Sequence, residues 1–278
     1  MNRVYRLLFV ALGLVLPALS SALAKPNIVL IYIDDYGWRD VGFNGTKFYE
    51  TPNADRIARE GMIFRSAYSN GPNCAPSRAC LMSGLYSPRH GIYTVANSDR
   101  GKASLRKIIP TKNTTVLADE FVTMAEALKM GGYTTATMGK WHLGKDPTTQ
   151  GFDINIAGRE WGSPSGGGYH SPYKYPNLVN KQKGEYLTDR LGSEAAKFIE
   201  AHKDKPFFLY LTHYAVHTPI QAKPELTSKY HKKPTVDQQT NAKYAAMIES
   251  MDDSVGTVLD TLDRLKLADN TIVVFYSD

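Results

Sequence analysis

The segment Cys74-Ala75-Pro76-Ser77-Arg78, followed by Leu81 and Ser83-Gly84, places one of only two cysteines in a turn marked by proline and arginine. On residue types alone it reads either as a structural thiol ahead of a helix, with Pro76 in the first helical turn, or as a site of cysteine chemistry. Further polar residues stand just after expected strands: Asp34-Asp35, then Lys140 and His142, then His213 and His217, and finally Asp278. Taken singly, an Asp-Asp pair is a turn or cap and a lone histidine is a hydrogen-bonded bystander. Taken together, four strand ends deliver acids, bases and cations to one sheet edge, where open α/β sheets bind ligands. The carboxylates of Asp34, Asp35 and Asp278 would repel one another there unless a cation neutralised them. Their hard oxygens suit Ca²⁺ or Mg²⁺ better than Zn²⁺, and no His-Glu-x-x-His spacing occurs. Lys140, His142 and His217 could then hold a tetrahedral anion and move protons.

Alternating strands and helices are expected to position these groups. Ile28 to Ile33 is a continuous apolar run, the pattern of a parallel strand buried on both faces. Thr51-Pro52 opens a helix as N-cap and N1 proline, with Ala54, Ile57 and Ala58 as its apolar stripe and Gly61 at its end. A helix through Met124 to Lys129 stops at Gly131-Gly132 and feeds a strand from Tyr133 to Met138. Helices over Leu187 to His202 and Ala242 to Leu265 precede strands at Phe207 to Thr212 and Thr271 to Tyr276. The fold class expected is α/β, a mostly parallel central sheet covered by helices on both faces. Residues 151–186 break the rhythm with glycine, serine, proline and tyrosine, as a functional loop or a flexible excursion would.

Residues 1–24 read as a cleaved secretory signal, with Arg3 and Arg6, an apolar run from Leu7 to Leu19, and Ala22-Leu23-Ala24 before Lys25. The protein is therefore expected to be exported, to the periplasm or the extracellular space, with no stable membrane anchor. Residues 25–278 suffice for one large α/β domain. The formal charge of +6 falls by two without the leader, and no Lys/Arg block resembles a nucleic-acid arm. Two cysteines do not make a disulfide framework, and a Cys74–Cys80 bridge would consume the thiol in the marked turn.

In these motifs the chain resembles the type I sulfatases of the alkaline-phosphatase-like superfamily. The similarity runs through Pro26-Asn27-Ile28-Val29-Leu30 into Asp34-Asp35, Thr51-Pro52-Asn53 with Gly61, and the Cys74 motif. It continues through Gly132-Tyr133, Gly139-Lys140-Trp141-His142-Leu143-Gly144, His217-Thr218-Pro219 and the closing strand to Ser277-Asp278. The resemblance implies that a maturation enzyme oxidises Cys74 to formylglycine, whose hydrate is the nucleophile in sulfate-ester hydrolysis. It implies that Asp34, Asp35, Asp278 and residue 74 bind the metal, calcium before magnesium, and that Arg78 steadies the hydrate. Lys140 would pair with a sulfate oxygen, His217 would bind substrate and protonate the leaving alcohol, and His142 would take a proton as sulfate is expelled. Export and the Gly/Tyr-rich loop favour a sulfated glycan as substrate.

The sequence also departs from the family pattern. Asn73 precedes the cysteine, and Ser83 stands where threonine is commoner. The family expects an Asn after the last metal Asp, another sulfate-binding Lys and a C-terminal subdomain; the sequence given stops at Asp278 and reads as a catalytic domain lacking that subdomain. Two alternatives follow: a phosphatase or phosphodiesterase of the same superfamily, and an inactive, truncated glycan-binding fragment.

Overall fold

A computed structural model describes residues 25–278; the expected leader at 1–24 lies outside the described residues. Five strands form one sheet: β1 (Asn27–Ile33), β2 (Thr134–Gly139), β3 (Ile154–Ile156), β4 (Phe207–Thr212) and β5 (Thr271–Ser277). Their order is β3-β2-β4-β1-β5, and every pairing is parallel. The helices are α1 (Pro52–Glu60), α2 (Cys74–Ser83), α3 (Ser87–His90), α4 (Met124–Met130), α5 (Leu187–Ala201), α6 (Pro224–Lys232) and α7 (Ala242–Arg264).

Successive strand residues point to opposite faces, so the continuous apolar runs feed two cores. Val29, Ile31 and Ile33 of β1, Leu209 and Leu211 of β4, and Ala136 and Met138 of β2 share one core with α5 and α7. Met247, Met251, Val255, Val258 and Leu262 of α7 supply a buried stripe at helical spacing. Leu30, Tyr32, Phe208 and Tyr210 face the other core, closed by Ala75, Ala79 and Met82 of α2, Ala125 of α4, and Trp141. Full burial of each larger apolar side chain contributes about 1.5–3 kcal/mol. The edge strand β5 is less covered: Val273 and Phe275 pack on the α7 side, whereas Ile272 and Val274 are 50% and 40% exposed.

Two local features differ from the sequence expectation. The irregular stretch 151–186 contains β3, a three-residue strand on β2 whose Ile-Asn-Ile sequence is too short to show a period. The tyrosines of this stretch pack inward: Tyr169, Tyr173 and Tyr175 are buried, and Tyr175 packs on Tyr214. Thr51 occupies the N-cap position of α1 but makes no side-chain cap; its hydroxyl accepts from Gly42 N at 2.8 Å. The first-turn amides of α1 go instead to Asp252 of α7, which accepts from Asn53 N at 2.9 Å and Ala54 N at 2.8 Å. Asp252→Ala would leave both donors without an acceptor and should lower the unfolding free energy by about 2–3 kcal/mol. Denaturant titration measures this as a midpoint shift at constant slope, and a loss below about 0.5 kcal/mol would contradict it.

Candidate active site

All four strand ends named from the sequence reach one edge of the sheet. Asp34 follows β1, Lys140 and His142 follow β2, His213 and His217 follow β4, and Asp278 follows β5. Backbone bonds lock these ends together: Asp34 N donates to Ala215 O at 3.0 Å, and Lys140 N to Thr212 O at 2.7 Å. Gly139 has φ 114°, and a Cβ there would sit 1.8 Å from Thr212 O, so only glycine lets β2 deliver Lys140 this close to β4.

Cys74 is the first residue of α2, with Asn73 as its extended N-cap residue and Pro76 in the first turn. The sequence places a turn here; the turn is the start of a helix whose N-terminal partial charge lies at the sulfur. Both cysteines are free, and Cys80 lies two turns further along, its sulfur 3.4 Å from His90 Nε2. Burial pushes the Cys74 thiol pKa up, Lys140 opposes that shift, and Asp34 adds to it.

Behind the cysteine, Asp34 is fully buried between two cations. Lys140 Nζ donates to its Oδ2 at 2.6 Å and Arg78 Nη2 to its Oδ1 at 3.1 Å. Arg78 Nη1 also donates to Lys140 O at 2.7 Å and to the Thr212 hydroxyl, which itself donates to Lys140 O at 2.9 Å. The guanidinium lies 4.4 Å from the Tyr32 ring centre, and the Tyr32 hydroxyl pairs with Ser77 Oγ at 2.7 Å. A buried charge persists only when paired and hydrogen-bonded, and here one carboxylate partners both cations. Among the described residues, Arg78 Nε has no hydrogen-bond partner.

Among the described residues, Asp34, Cys74 and Asp278 bring one ligand atom each to within 4.8 Å of the others. Asp278 Oδ2 is buried and unpartnered, and burial with the nearby Asp34 charge raises the Asp278 carboxyl pKa to about 6. Two carboxylates converging with an unsatisfied buried oxygen fit a hard divalent cation. Asp35 stands apart from this trio. Its φ is 56°, its amide donates to Asp278 Oδ1 at 2.9 Å, and its half-exposed carboxylate faces His217 Nε2 at 3.7 Å.

The histidines separate into different environments. His142 has φ 64°, donates its amide to Arg159 O at 2.9 Å, and keeps a buried, unpartnered Nδ1. Burial, Lys140 and Arg78 lower its pKa to about 3, so it is neutral at ordinary pH. His217 directs Nδ1 at Thr218 O, 2.6 Å away, leaving Nε2 toward Asp35. His213, which the sequence groups with these residues, is buried against α7, with Nε2 3.1 Å from Ser254 Oγ. Burial lowers its pKa from 6.5 to about 3, so the stability it lends is present above pH 6.5 and lost as pH falls toward 3. His213→Gln should flatten the acid limb of the stability curve by up to about 1.4 kcal/mol per pH unit, measured by denaturant midpoints across that window. An unchanged acid slope would contradict this assignment.

Sequence reasoning missed the residues that hold the chemistry in place. Tyr32 and Thr212 support Arg78 from inside apolar strands, where nothing in their spacing distinguishes them from core positions. Tyr169 reaches across from the long loop, its hydroxyl 2.7 Å from Tyr214 O and 2.8 Å from His217 O. Only contact in three dimensions reveals that link, since the partners lie 45 and 48 residues apart.

Comparison with known proteins identifies the family. The protein-family model described as Sulfatase matches residues 26–278. A sulfatase of Formosa agariphila is 33% identical over 93% of the chain, which covers 58% of that protein. The N-acetylgalactosamine-6-sulfatase of Mus musculus is 36% identical over 96% of the chain and 52% of its own length. The crystal structure of Ps i-CgsB superposes with a TM-score of 0.75 at 32% identity, over 91% of the chain and 58% of that structure. The same protein in complex with k-i-k-neocarrahexaose gives 0.73. The chain thus spans a little over half the length of the relatives it matches. With the family model matched from residue 26 to residue 278, the chain belongs to the sulfatase family.

Proposed function

We propose that the protein hydrolyses sulfate esters of carbohydrates through residue 74, and that it is exported to the periplasm or extracellular space by the leader at 1–24. The observation that carries this reading is the convergence of Cys74 with Asp34 and Asp278, beside the buried cations Lys140 and Arg78. Asp34, residue 74 and Asp278 would hold Ca²⁺, or less readily Mg²⁺, and Asp35 would join them only by turning from His217. Oxidised to formylglycine by a maturation enzyme, residue 74 would supply a hydrated aldehyde as nucleophile, and a cation held by Asp34 and Asp278 would supply the positive charge that favours its ionised hydroxyl.

The surrounding side chains then have separable tasks. Arg78, braced by Tyr32 and Thr212, has its unpartnered Nε available to steady an oxygen on residue 74. Lys140 offers a desolvated ammonium to a sulfate oxygen, where exclusion of water strengthens the attraction. His217 gives a proton to the leaving alcohol from Nε2, and neutral His142 accepts one as sulfate departs.

Tyr169 should matter through His217. Tyr169→Phe removes the hydroxyl beside the Tyr214 and His217 carbonyls and leaves the buried ring in place. The expected loss is about tenfold in kcat for alkyl and sugar sulfates, whose leaving groups need a proton, and under about twofold for p-nitrophenyl sulfate. Equal losses on both substrate types would show a general structural effect instead.

The phosphatase alternative is tested by parallel kcat/KM measurements on matched sulfate and phosphate monoesters. Preference for sulfate supports the proposal, and preference for phosphate would overturn it. Among the described residues no helix is long and apolar enough to cross a membrane.

A further inference from the structure

We propose that the open cavity beside His142 seats the saccharide unit carrying the sulfate, and that Glu160 determines specificity by accepting its hydroxyl hydrogen bonds. This rests on the sulfate-ester function above and assigns the part of the substrate beyond the sulfur. The cavity, about 480 Å³, is lined by His142, Lys145, Glu160, Asn97, Thr115 and Val116 among others. That volume lies within the range of small-ligand sites. Apart from the His142 imidazole none of its lining residues is aromatic, so a flat aryl or sterol group would find little stacking surface. A hydroxylated ring would instead meet the donors and acceptors of Asn97, Thr115, Lys145 and Glu160.

The walls are held before any ligand arrives. Arg159 Nε and Nη2 each donate to a Glu160 carboxylate oxygen at 2.8 Å, and the same guanidinium lies 4.4 Å from the Trp161 ring centre. Arg159 keeps Glu160 ionised, its pKa lowered chiefly by those hydrogen bonds. Each carboxylate oxygen retains a lone pair for a further donor. The bond from His142 N to Arg159 O, 2.9 Å, ties this wall to the proposed catalytic histidine. On the opposite side, Asn113 Oδ1 accepts from Tyr93 N at 2.6 Å and Thr94 N at 3.1 Å, and Nδ2 donates to Thr94 O at 3.0 Å. These bonds fix the strand of loop that carries Asn97. Preformed acceptors lower the ordering cost of binding a polyol.

The test compares kcat/KM for a panel of monosaccharide sulfates with that for p-nitrophenyl sulfate, in the wild type, Glu160→Gln and Val116→Trp. Val116 is 52% exposed, so tryptophan there fills the cavity without entering the core. Both variants should keep the wild-type melting temperature. Glu160→Gln should reduce kcat/KM for the preferred saccharide sulfate at least about tenfold, mainly through KM, and change the aryl sulfate less than about twofold. Val116→Trp should also discriminate against the saccharide. Equal effects on both substrate classes, or none, would overturn the assignment. A wild type that cleaves the aryl sulfate but no saccharide sulfate would overturn this inference and the carbohydrate preference proposed above, and leave sulfate-ester hydrolysis itself standing. A wild type with aldehyde at residue 74 and cation bound that cleaves neither would overturn both.

Discussion

Cys74→Ala should abolish sulfate-ester hydrolysis, by at least about 10⁴-fold in kcat, while the protein still folds. The side chain is 5% exposed at the start of α2, and alanine removes one buried sulfur without leaving an unpaired charge. The stability cost is therefore that of a small cavity, about 1 kcal/mol. Arg78→Lys is the complementary variant. Arg78 spans Asp34, Thr212 and Lys140 O with a planar fork, which an ammonium cannot reproduce. A kinetic assay beside a thermal melt separates the two effects. Cys74→Ala with undiminished turnover would remove residue 74 from the chemistry.

Three of the strands that carry the site, β1, β4 and β5, were legible as apolar runs, and β2 as a threonine-rich segment after Gly131-Gly132. β4 has the expected bounds, Phe207–Thr212, while β1 and β5 each extend one residue beyond expectation and β2 is shifted by one. The polar residues after those runs had to lie at the carboxyl edge, since parallel strands place all such ends together. Sequence gave no means of sorting them. His213 and His217 follow the same strand four residues apart, yet one is buried under α7 and the other faces Asp35. That outcome depends on the fold of the 214–219 turn, which only tertiary contacts specify. The roles of the tyrosines in the Gly/Tyr-rich loop were not legible for a related reason. Tyrosine looks alike whether it stacks on a ligand or, as with Tyr169, spends its hydroxyl on buried carbonyls. The helix α1 cap came from Asp252, nearly 200 residues away, where local spacing pointed to Thr51.

Removal of the divalent cation should produce the second large effect. At a free concentration about 100-fold above its Kd, a cation bound only by the native state adds about 2.7 kcal/mol. Over a domain of this size that corresponds to about 5–10 °C in Tm. Chelation should lower Tm by that amount and stop turnover, and Ca²⁺ should restore both. Asp278→Asn is the informative variant, because among the described residues Asp278 has no ion-pair partner and its Oδ2 no hydrogen bond. It should weaken metal dependence while leaving the metal-free Tm unchanged or higher, through relief of repulsion from Asp34. Asp34→Asn differs in kind, since it leaves Arg78 and Lys140 buried without their counter-ion and should cost about 3–5 kcal/mol by itself. If chelation changes neither Tm nor turnover, the cation does not belong to this site.

The most direct measurement is the mass of the peptide spanning residue 74, taken from a preparation whose sulfate-ester turnover has been measured. The peptide should carry an aldehyde in place of the thiol, trapped by a hydrazide reagent, in a fraction that tracks specific activity from batch to batch. Full activity in protein whose residue 74 is entirely unmodified cysteine would contradict the proposed chemistry.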